Sequence, residues 1–238
     1  MNEPTAMGAG DHWRVFASIA ELDAALATHL ADELRADIDT RGSASLAVSG
    51  GNTPRTMFRL LSQQSLAWQQ VALTLVDERW VGTEHEDSNE AMMRRNLHQH
   101  RAAQARLIGL KTPHARASEG VSEAGARIAA LPRPFTCVVL GMGDDGHTAS
   151  WFPQATNLPR LLDTQCSDLV AATEPVTATH ARMTMTLTAV LASRRIIVHI
   201  TGAEKKTVFN KAISSGYPIA AVLQQTHTPV TIWWAPND

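Results

Sequence analysis

The sequence is poor in cysteine and in net charge, and it contains no long apolar run. Its 238 residues include two cysteines, Cys137 and Cys166, and the formal net charge is −2. Two cysteines cannot build a disulfide framework, so we expect free thiols in a reducing cytoplasm. The sequence contains no stretch of about 18 apolar residues that could span a membrane. We also expect no signal peptide. The weak charge predicts no general attraction to nucleic acid or to anionic membranes.

Several familiar site patterns are also missing. The ten histidines show no metal-ligand spacing, so no metal site is expected. No Walker loop is present, and no G-x-S-x-G sequence marks a serine nucleophile. Residues 141–146 do match G-x-G-x-x-G, but two carboxylates in this turn would repel a pyrophosphate, and Pro153 leaves little room for a crossover helix. We therefore expect no dinucleotide cofactor.

The chain does contain a regular alternation of strand-like and helix-like segments. Apolar residues at steps of three and four between Ile19 and Ile38 predict a long amphipathic helix, which Ser18 could cap. Apolar runs predict strands at 45–49, 71–76, 135–140, 169–173, 183–187, 196–200 and 230–234, and helices are predicted at 54–63, 88–98, 121–131, 203–214 and 219–225.

This alternation is typical of the α/β class. It predicts a Rossmann-like fold with a mostly parallel sheet and helices on both faces. Because no repeat or linker is apparent, we expect a single domain over residues 1–238, with residues 1–12 loosely ordered.

Polar and cationic residues follow several of the predicted strands. Residues 49–54 join a strand to a helix, and the glycines and the helix start there could bind a phosphate. Arg79 follows another strand at the ligand-binding edge of an open α/β sheet, and its planar guanidinium suits a phosphate or a carboxylate. Arg182 and Lys206 also lie at strand ends, although Lys205 is an equal candidate, and for each cation a surface ion pair is the alternative. The candidate substrate-binding residues are Ser49, Gly50, Gly51, Asn52, Thr53, Arg79, Arg182 and Lys206.

The segment V-V-L-G-M-G-D-D-G-H-T-A-S-W-F-P, residues 138–153, is the most informative part of the chain. An apolar strand ends in a Gly-rich turn that carries Asp144, Asp145 and His147. A histidine with an ordinary pKa of about 6.5 is suited to act as a general base near neutral pH. Asp145 is the nearest carboxylate in the sequence and could fix the tautomer of His147.

Six motifs that occur in one order resemble those of the 6-phosphogluconolactonase family. They are S-G-G-N-T-P, D-E-R-W-V, S-N-E, G-M-G-D-D-G-H-T-A-S-W-F-P, R-M-T-M-T-L and G-A-E-K-K. The related glucosamine-6-phosphate deaminases usually have a tyrosine at the position of Arg79 and an acid soon after the histidine, where residues 148–153 contain none. Small departures from the lactonase pattern are Asn52, where serine is commoner, and Trp151, where leucine is commoner.

The resemblance implies an enzyme that hydrolyses 6-phosphoglucono-δ-lactone to 6-phosphogluconate in the oxidative pentose phosphate pathway, with no metal or organic cofactor. It implies that His147 activates water and that Arg79, Arg182 and Lys206 hold the phosphate or stabilise the charged reaction path. The candidate catalytic residues are therefore His147, Asp145 and Arg79.

The expected partner is a small sugar-phosphate lactone, with neither nucleic acid nor membrane involved, and the protein is expected to be cytoplasmic and a monomer or a weak homo-oligomer. Two alternatives stay open. One is a deaminase/isomerase in which Asp77 acts as a base, and the other is a sugar-phosphate-binding protein that does not need His147.

Overall fold

The computed structural model describes residues 12–176 and 178–237. The expectation of loose order at residues 1–12 therefore lies, except for His12, outside the described residues. The strands are β1 (Trp13–Val15), β2 (Ala44–Val48), β3 (Val71–Leu75), β4 (Asp77–Arg79), β5 (Arg106–Ile108), β6 (Cys137–Leu140), β7 (Val170–Thr173), β8 (Arg182–Met185), β9 (Ile196–Thr201) and β10 (Val230–Ala235). The helices are α1 (Ile19–Arg41), α2 (Arg55–Ser62), α3 (Asn89–Asn96), α4 (Ala117–Ala129), α5 (Leu158–Leu161), α6 (Leu187–Leu191), α7 (Gly202–Asn210) and α8 (Ala220–Gln224).

Seven strands form one parallel sheet in the order β1-β10-β9-β6-β2-β3-β5. From β2 the chain moves outward to β3 and β5, whereas from β6 it moves in the opposite direction to β9 and β10. The loops that follow β2 and β6 therefore diverge, and they open a crevice at the carboxyl edge of the sheet. The predicted α/β class with a mostly parallel sheet is confirmed.

A second sheet of three antiparallel strands, β4-β8-β7, lies beside the first. The sequence predicts strands at β7 and β8 but places them in one sheet with the others. The chain leaves the parallel sheet at Val76, whose N–H donates to the Val48 carbonyl, 3.0 Å away, and whose carbonyl accepts from Met185 at 2.7 Å. The polar residues that follow, Asp77 to Arg79, lie outside the apolar middle of the main sheet, where their side chains would lack hydrogen-bond partners.

Helix α1 shows how local sequence signals fix the elements around this sheet. The Ser18 hydroxyl accepts from the Glu21 N–H at the start. The helix ends at Gly42, which has φ 75° and donates to the Ile38 carbonyl. Leucines at four-residue spacing are fully buried against the sheet, namely Leu22, Leu26, Leu30 and Leu34, and each contributes about 1.5–3 kcal/mol through burial. None of the described helices combines the length and hydrophobicity needed to cross a membrane.

Candidate active site

A cavity of about 240 Å³ opens at the carboxyl edge of the parallel sheet, where β2 and β6 part. Its wall combines the loops after β2 and β6, the end of β9, the first turn of α7 and residues of the small sheet. Ser49, His147, Arg79 and Lys205 all line it, although they are far apart in the sequence. The topology therefore brings a candidate base and candidate anion ligands into one cavity, at the position where open α/β sheets bind their ligands.

The loop after β6 folds back tightly so that His147 lies at the cavity wall. The Gly143 N–H donates to the His147 carbonyl at 2.8 Å, and the Gly146 N–H donates to the Gly143 carbonyl at 3.2 Å. Gly146 has φ 74°, and a Cβ at that residue would lie 2.4 Å from the Tyr217 ring. A glycine is thus required there both by the backbone and by the packing.

His147 and Asp145 form a directed pair. Nδ1 of His147 lies 2.5 Å from Oδ1 of Asp145, and the same oxygen accepts from the His147 backbone N–H at 3.1 Å. The imidazole also packs on the Phe152 ring, with centroids 4.5 Å apart. Burial opposes ionisation of Asp145, but the His147 N–H and imidazole outweigh it and lower the pKa of Asp145. The carboxylate holds the proton on Nδ1 and leaves Nε2 as the basic nitrogen.

The placement of the His147 imidazole depends on the missing side chain of Gly143. A Cβ at this residue would lie 2.2 Å from the ring atoms Nδ1 and Cε1 of His147 and 2.8 Å from Oδ1 of Asp145. Gly143→Ala is therefore expected to displace the imidazole and to lower kcat by about 10²-fold, the size expected for a misplacement of about 1 Å. Steady-state kinetics on the substrate that the resemblance implies, 6-phosphoglucono-δ-lactone, would measure the loss.

Gly141→Ala supplies the control in the same loop. A Cβ there meets only Ser49 Cβ at 3.9 Å, which is ordinary van der Waals contact. Its kcat should stay within a few-fold of that of the unmodified protein. Equal losses in both variants would mean that the loop tolerates no substitution, and the specific clash with His147 would not be the cause.

Two arginines lie directly opposite each other on the small sheet. Arg79 of β4 pairs in register with Arg182 of β8, so both side chains lie on the same side of the ladder. Arg79 lines the cavity and Arg182 is not among the lining residues. Arg182 is 7% exposed, and its guanidinium lies 5.9 Å from the Phe152 ring. Burial, partly offset by Asp77, lowers the pKa of Arg182. Like charges opposite each other are unfavourable, so this arrangement favours an anion between them.

The lysine at the cavity is Lys205, and the prediction of Lys206 is corrected. Lys205 lines the cavity, where its ammonium lies 2.6 Å from Asp144. The Lys206 ammonium lies instead 4.1 Å from the Trp234 ring and 5.5 Å from the Trp13 ring. Consecutive residues of a helix point about 100° apart, so only one of the two can face the cavity, and the tryptophans attract the other by cation–π contact.

The loop after β2 forms another part of the wall. Ser49, Gly50, Gly51 and Thr53 line the cavity, and Asn52 is not among the lining residues. The Ser49 hydroxyl accepts from the Gly141 N–H at 3.1 Å and so joins this loop to the one that carries His147. Thr53 and Pro54, which directly precede α2, both line the cavity.

Buried polar residues outside the predicted catalytic and substrate-binding sets support this wall. Asp77 lines the cavity at 7% exposure, and its two carboxylate oxygens accept from the Ser150 hydroxyl at 2.6 Å and from Asn89 at 3.3 Å. Asn89 occupies the space beside Gly50, where a Cβ would lie 1.9 Å from its Oδ1. The S-N-E motif could have indicated Asn89, but the sequence does not show that this motif packs against the glycine turn.

His199 is a further lining residue that sequence reasoning missed. It is 3% exposed, and its Nε2 lies 3.5 Å from Oδ1 of Asp23, which is 1% exposed. Burial lowers the pKa of His199 to about 4 and raises that of Asp23 to about 6, against the opposing charge of Arg59. The one sequence feature that could have indicated His199 as a site residue is that it is a polar residue inside the apolar run I-I-V-H-I.

The fold and the cavity together define the class of protein. It is an open α/β protein whose small-molecule site lies at the switch point of the sheet and combines a His–Asp pair with cationic side chains. Among the described residues, no group of three or more His, Cys, Asp or Glu side chains is arranged to hold a metal ion.

Comparisons with known proteins give the family. A family model described as glucosamine-6-phosphate isomerases/6-phosphogluconolactonase matches residues 17–233. A Mesorhizobium japonicum protein named 6-phosphogluconolactonase is 40% identical over 231 residues, which cover 96% of this chain and 97% of that protein. A Pseudomonas aeruginosa protein of the same name is 37% identical over 236 residues, covering 96% of each chain. The chain belongs to the glucosamine-6-phosphate isomerase/6-phosphogluconolactonase family, as its motifs indicated.

Solved structures agree with this assignment. The crystal structure of a 6-phosphogluconolactonase from Shewanella baltica matches with a TM-score of 0.92 at 42% identity and covers 95% of this chain and 98% of that one. A monomeric glucosamine-6-phosphate deaminase matches with a TM-score of 0.69 at 18% identity, covering 93% of this chain and 96% of that one, which is a likeness of fold alone.

Proposed function

We propose that this protein hydrolyses 6-phosphoglucono-δ-lactone to 6-phosphogluconate, the second step of the oxidative pentose phosphate pathway, and that His147 activates the attacking water. The observation that carries the proposal is that His147, which is paired with Asp145, lines the same cavity as Arg79 and Lys205. The relatives named 6-phosphogluconolactonase, at 37–41% identity over nearly their whole length, support the same activity.

The chemistry follows from the free nitrogen of His147. Because Asp145 engages Nδ1, Nε2 takes a proton from water as the water oxygen bonds to the lactone carbonyl carbon. The resulting tetrahedral oxyanion collapses, the bond from this carbon to the ring oxygen breaks, and the imidazolium returns its proton to that oxygen. General base assistance of this kind contributes about 10²–10⁴-fold. Donors aimed at the oxyanion would add several kcal/mol, and the N–H groups of the Gly-rich loop are our candidates.

The cationic side chains hold the other end of the substrate in this proposal. A phosphate between Arg79 and Arg182 would relieve the repulsion between two guanidiniums that face each other across β4 and β8. Lys205 is paired with Asp144, which is highly exposed and can turn toward solvent. A phosphate could therefore take the place of Asp144 beside the ammonium. Fixing the phosphate orients the carbonyl at His147.

The direct test is an assay with freshly prepared phosphorylated lactone, corrected for its spontaneous hydrolysis. The proposal predicts a rate well above the spontaneous one. Release of ammonia from glucosamine 6-phosphate would instead identify a deaminase, in which Asp77 is the base; the two hydrogen bonds on its carboxylate oxygens speak against that role. Binding of the product with no hydrolysis at all would identify a non-catalytic sugar-phosphate-binding protein.

Arg79→Ala is expected to raise KM for the phosphorylated lactone by about 10-fold or more, since a charge-assisted hydrogen bond contributes about 1.5–3 kcal/mol. KM for glucono-δ-lactone, which has no phosphate, should change much less. Arg160→Ala is the control, because Arg160 is an exposed arginine that pairs with Asp168 and does not line the cavity. Equal changes of KM for both lactones would place Arg79 away from the phosphate.

Other expectations stay predictions: one domain over residues 1–238, a cytoplasmic location and a monomer or weak homo-oligomer. Asp145 as the partner of the base, Arg182 as a phosphate ligand and the loop of residues 49–53 as a source of backbone donors belong to the same proposal.

A further inference from the structure

The two arginines of the proposed phosphate site are held by backbone carbonyl groups. Nη1 of Arg79 donates to the Asp87 carbonyl at 2.6 Å, and Nη1 of Arg182 donates to the His180 carbonyl. Carbonyl acceptors carry no net charge. They orient the two guanidiniums and leave the positive charges available to an anion.

The residues that supply these carbonyls are joined to each other through their side chains. Nε2 of His180 lies 3.0 Å from Oδ2 of Asp87. His85 supports the pair, because its Nδ1 accepts from the Asp87 N–H at 3.1 Å and its ring meets the His180 ring edge-on at 5.8 Å. Asp87 belongs to the loop between β4 and α3, whereas His180 precedes β8. The side-chain pair therefore connects the two loops that hold Arg79 and Arg182.

We propose that the Asp87–His180 pair positions Arg79 and Arg182 for the phosphate of the substrate. This inference rests on the proposed function of the cavity as a sugar-phosphate site. Without an anion between them, the two guanidiniums repel each other and push the loops apart. A link between their two carbonyl partners opposes this movement, so the arginines stay beside each other before the phosphate binds. Asp87 and His180 act through other residues and are positioning residues, not catalytic ones.

The charges around the pair are consistent with this role. The hydrogen bond from His180 lowers the pKa of the Asp87 carboxyl, so this partner stays ionised through the neutral range. Asp77 and Glu78 lie on the β4 side of Arg182, and their charges, together with that of Asp87, favour its cationic form. Both members of the pair are partly exposed, so the link is weak and its effect on phosphate binding should be modest.

The experiment measures four variants on two lactones. His180→Ala and Asp87→Ala should each raise KM for the phosphorylated lactone by about two- to fivefold, the range that a partly exposed ion pair supports. KM for glucono-δ-lactone should not change, and kcat should change less than KM. The KM of the double variant should be no higher than that of the more affected single variant, because the two side chains act as one unit. His180→Gln should restore KM, since its amide nitrogen can donate to Asp87 from a similar position.

Two measurements separate failure of this inference from failure of the proposed function. His227→Ala is the matched control. His227 is an exposed histidine just before β10, at the amino edge of the parallel sheet, whereas the cavity lies at the carboxyl edge. Calorimetry with 6-phosphogluconate and with gluconate detects the phosphate contact even in a protein that does not turn over. Unchanged KM and unchanged affinity for 6-phosphogluconate in both single variants would overturn the inference, as would additive losses in the double variant. An unmodified protein that binds 6-phosphogluconate but hydrolyses nothing would overturn the proposed function alone.

Discussion

His147→Ala is expected to lower kcat for the phosphorylated lactone by about 10²–10⁴-fold, the contribution of a positioned general base. The expectation follows from the geometry of the ring, whose Nδ1 is engaged by Asp145 at 2.5 Å while Nε2 is left to take the proton from water. The side chain lies on an exposed loop and is 30% exposed, so its removal should leave the fold intact. Stopped assays with correction for spontaneous opening of the lactone would measure the loss.

The affinity of the same variant for 6-phosphogluconate separates catalysis from binding. Because the phosphate is held by other residues in our proposal, the affinity should fall by less than about 10-fold while kcat collapses. His227→Ala again serves as the control for the loss of an exposed imidazole. Near-normal turnover of His147→Ala would remove this residue from the mechanism, and the alternative of Asp77 as a base would then need direct testing.

Apolar patterning predicted most of the main sheet. The run from Ile19 to Ile38 indicated α1, and the structure extends that helix to Arg41, where Gly42 ends it. Strands β1 and β5, of three residues each, were missed because so short a segment shows no periodicity. The separate antiparallel sheet was also missed, since strand patterns say nothing about the partner with which a strand pairs.

Sequence reasoning found the site residues that lie in loops with unusual glycine content, and it was weaker where helix or strand geometry decides the direction of a side chain. The turn at residues 141–147 could be recognised because three glycines, two acids and a histidine directly follow a buried strand, which is typical of a ligand-binding loop. The choice between Lys205 and Lys206 depends on the rotation of α7 relative to Trp234, which only the fold determines. Similarly, no local pattern could place Asp87 beside His180, because these residues are 93 positions apart.

A buried carboxylate ties the small sheet to the start of α3. Glu78 is fully buried and accepts four hydrogen bonds, at distances of 2.7–3.0 Å. Three come from backbone N–H groups, those of Arg79, Asn89 and Glu90, and the fourth comes from the Ser88 hydroxyl. Two of these N–H groups belong to the first turn of α3, which has no intrahelical acceptors for them. Glu78 thus fixes the position of Asn89, which supports the cavity wall.

At about pH 8, where Glu78 is ionised and both oxygens accept, Glu78→Gln is expected to destabilise the protein by about 3 kcal/mol, since each buried donor left without an acceptor costs about 1–3 kcal/mol. The glutamine oxygen can replace Oε1, but its NH₂ group would replace Oε2 and face the donating N–H of Glu90. For a chain of this length, the loss corresponds to a fall of about 6–12 °C in Tm. Thermal or urea unfolding followed by circular dichroism would measure it, with Glu86→Gln as the control for the same charge change at an exposed residue.

The pH dependence of unfolding gives this prediction a second readout. Burial raises the pKa of Glu78 from 4.5 to about 7, against the four hydrogen bonds that favour the charged form. Between these two pKa values, the folded state keeps a proton that the unfolded state has lost. The contribution of Glu78 to stability therefore falls as the pH rises from about 4.5 to 7, and it is constant above pH 7. The glutamine cannot titrate, and the variant should lack this component of the pH dependence. A variant that is as stable as the unmodified protein, with the same pH profile between 4.5 and 7, would mean that the carboxylate does not anchor α3.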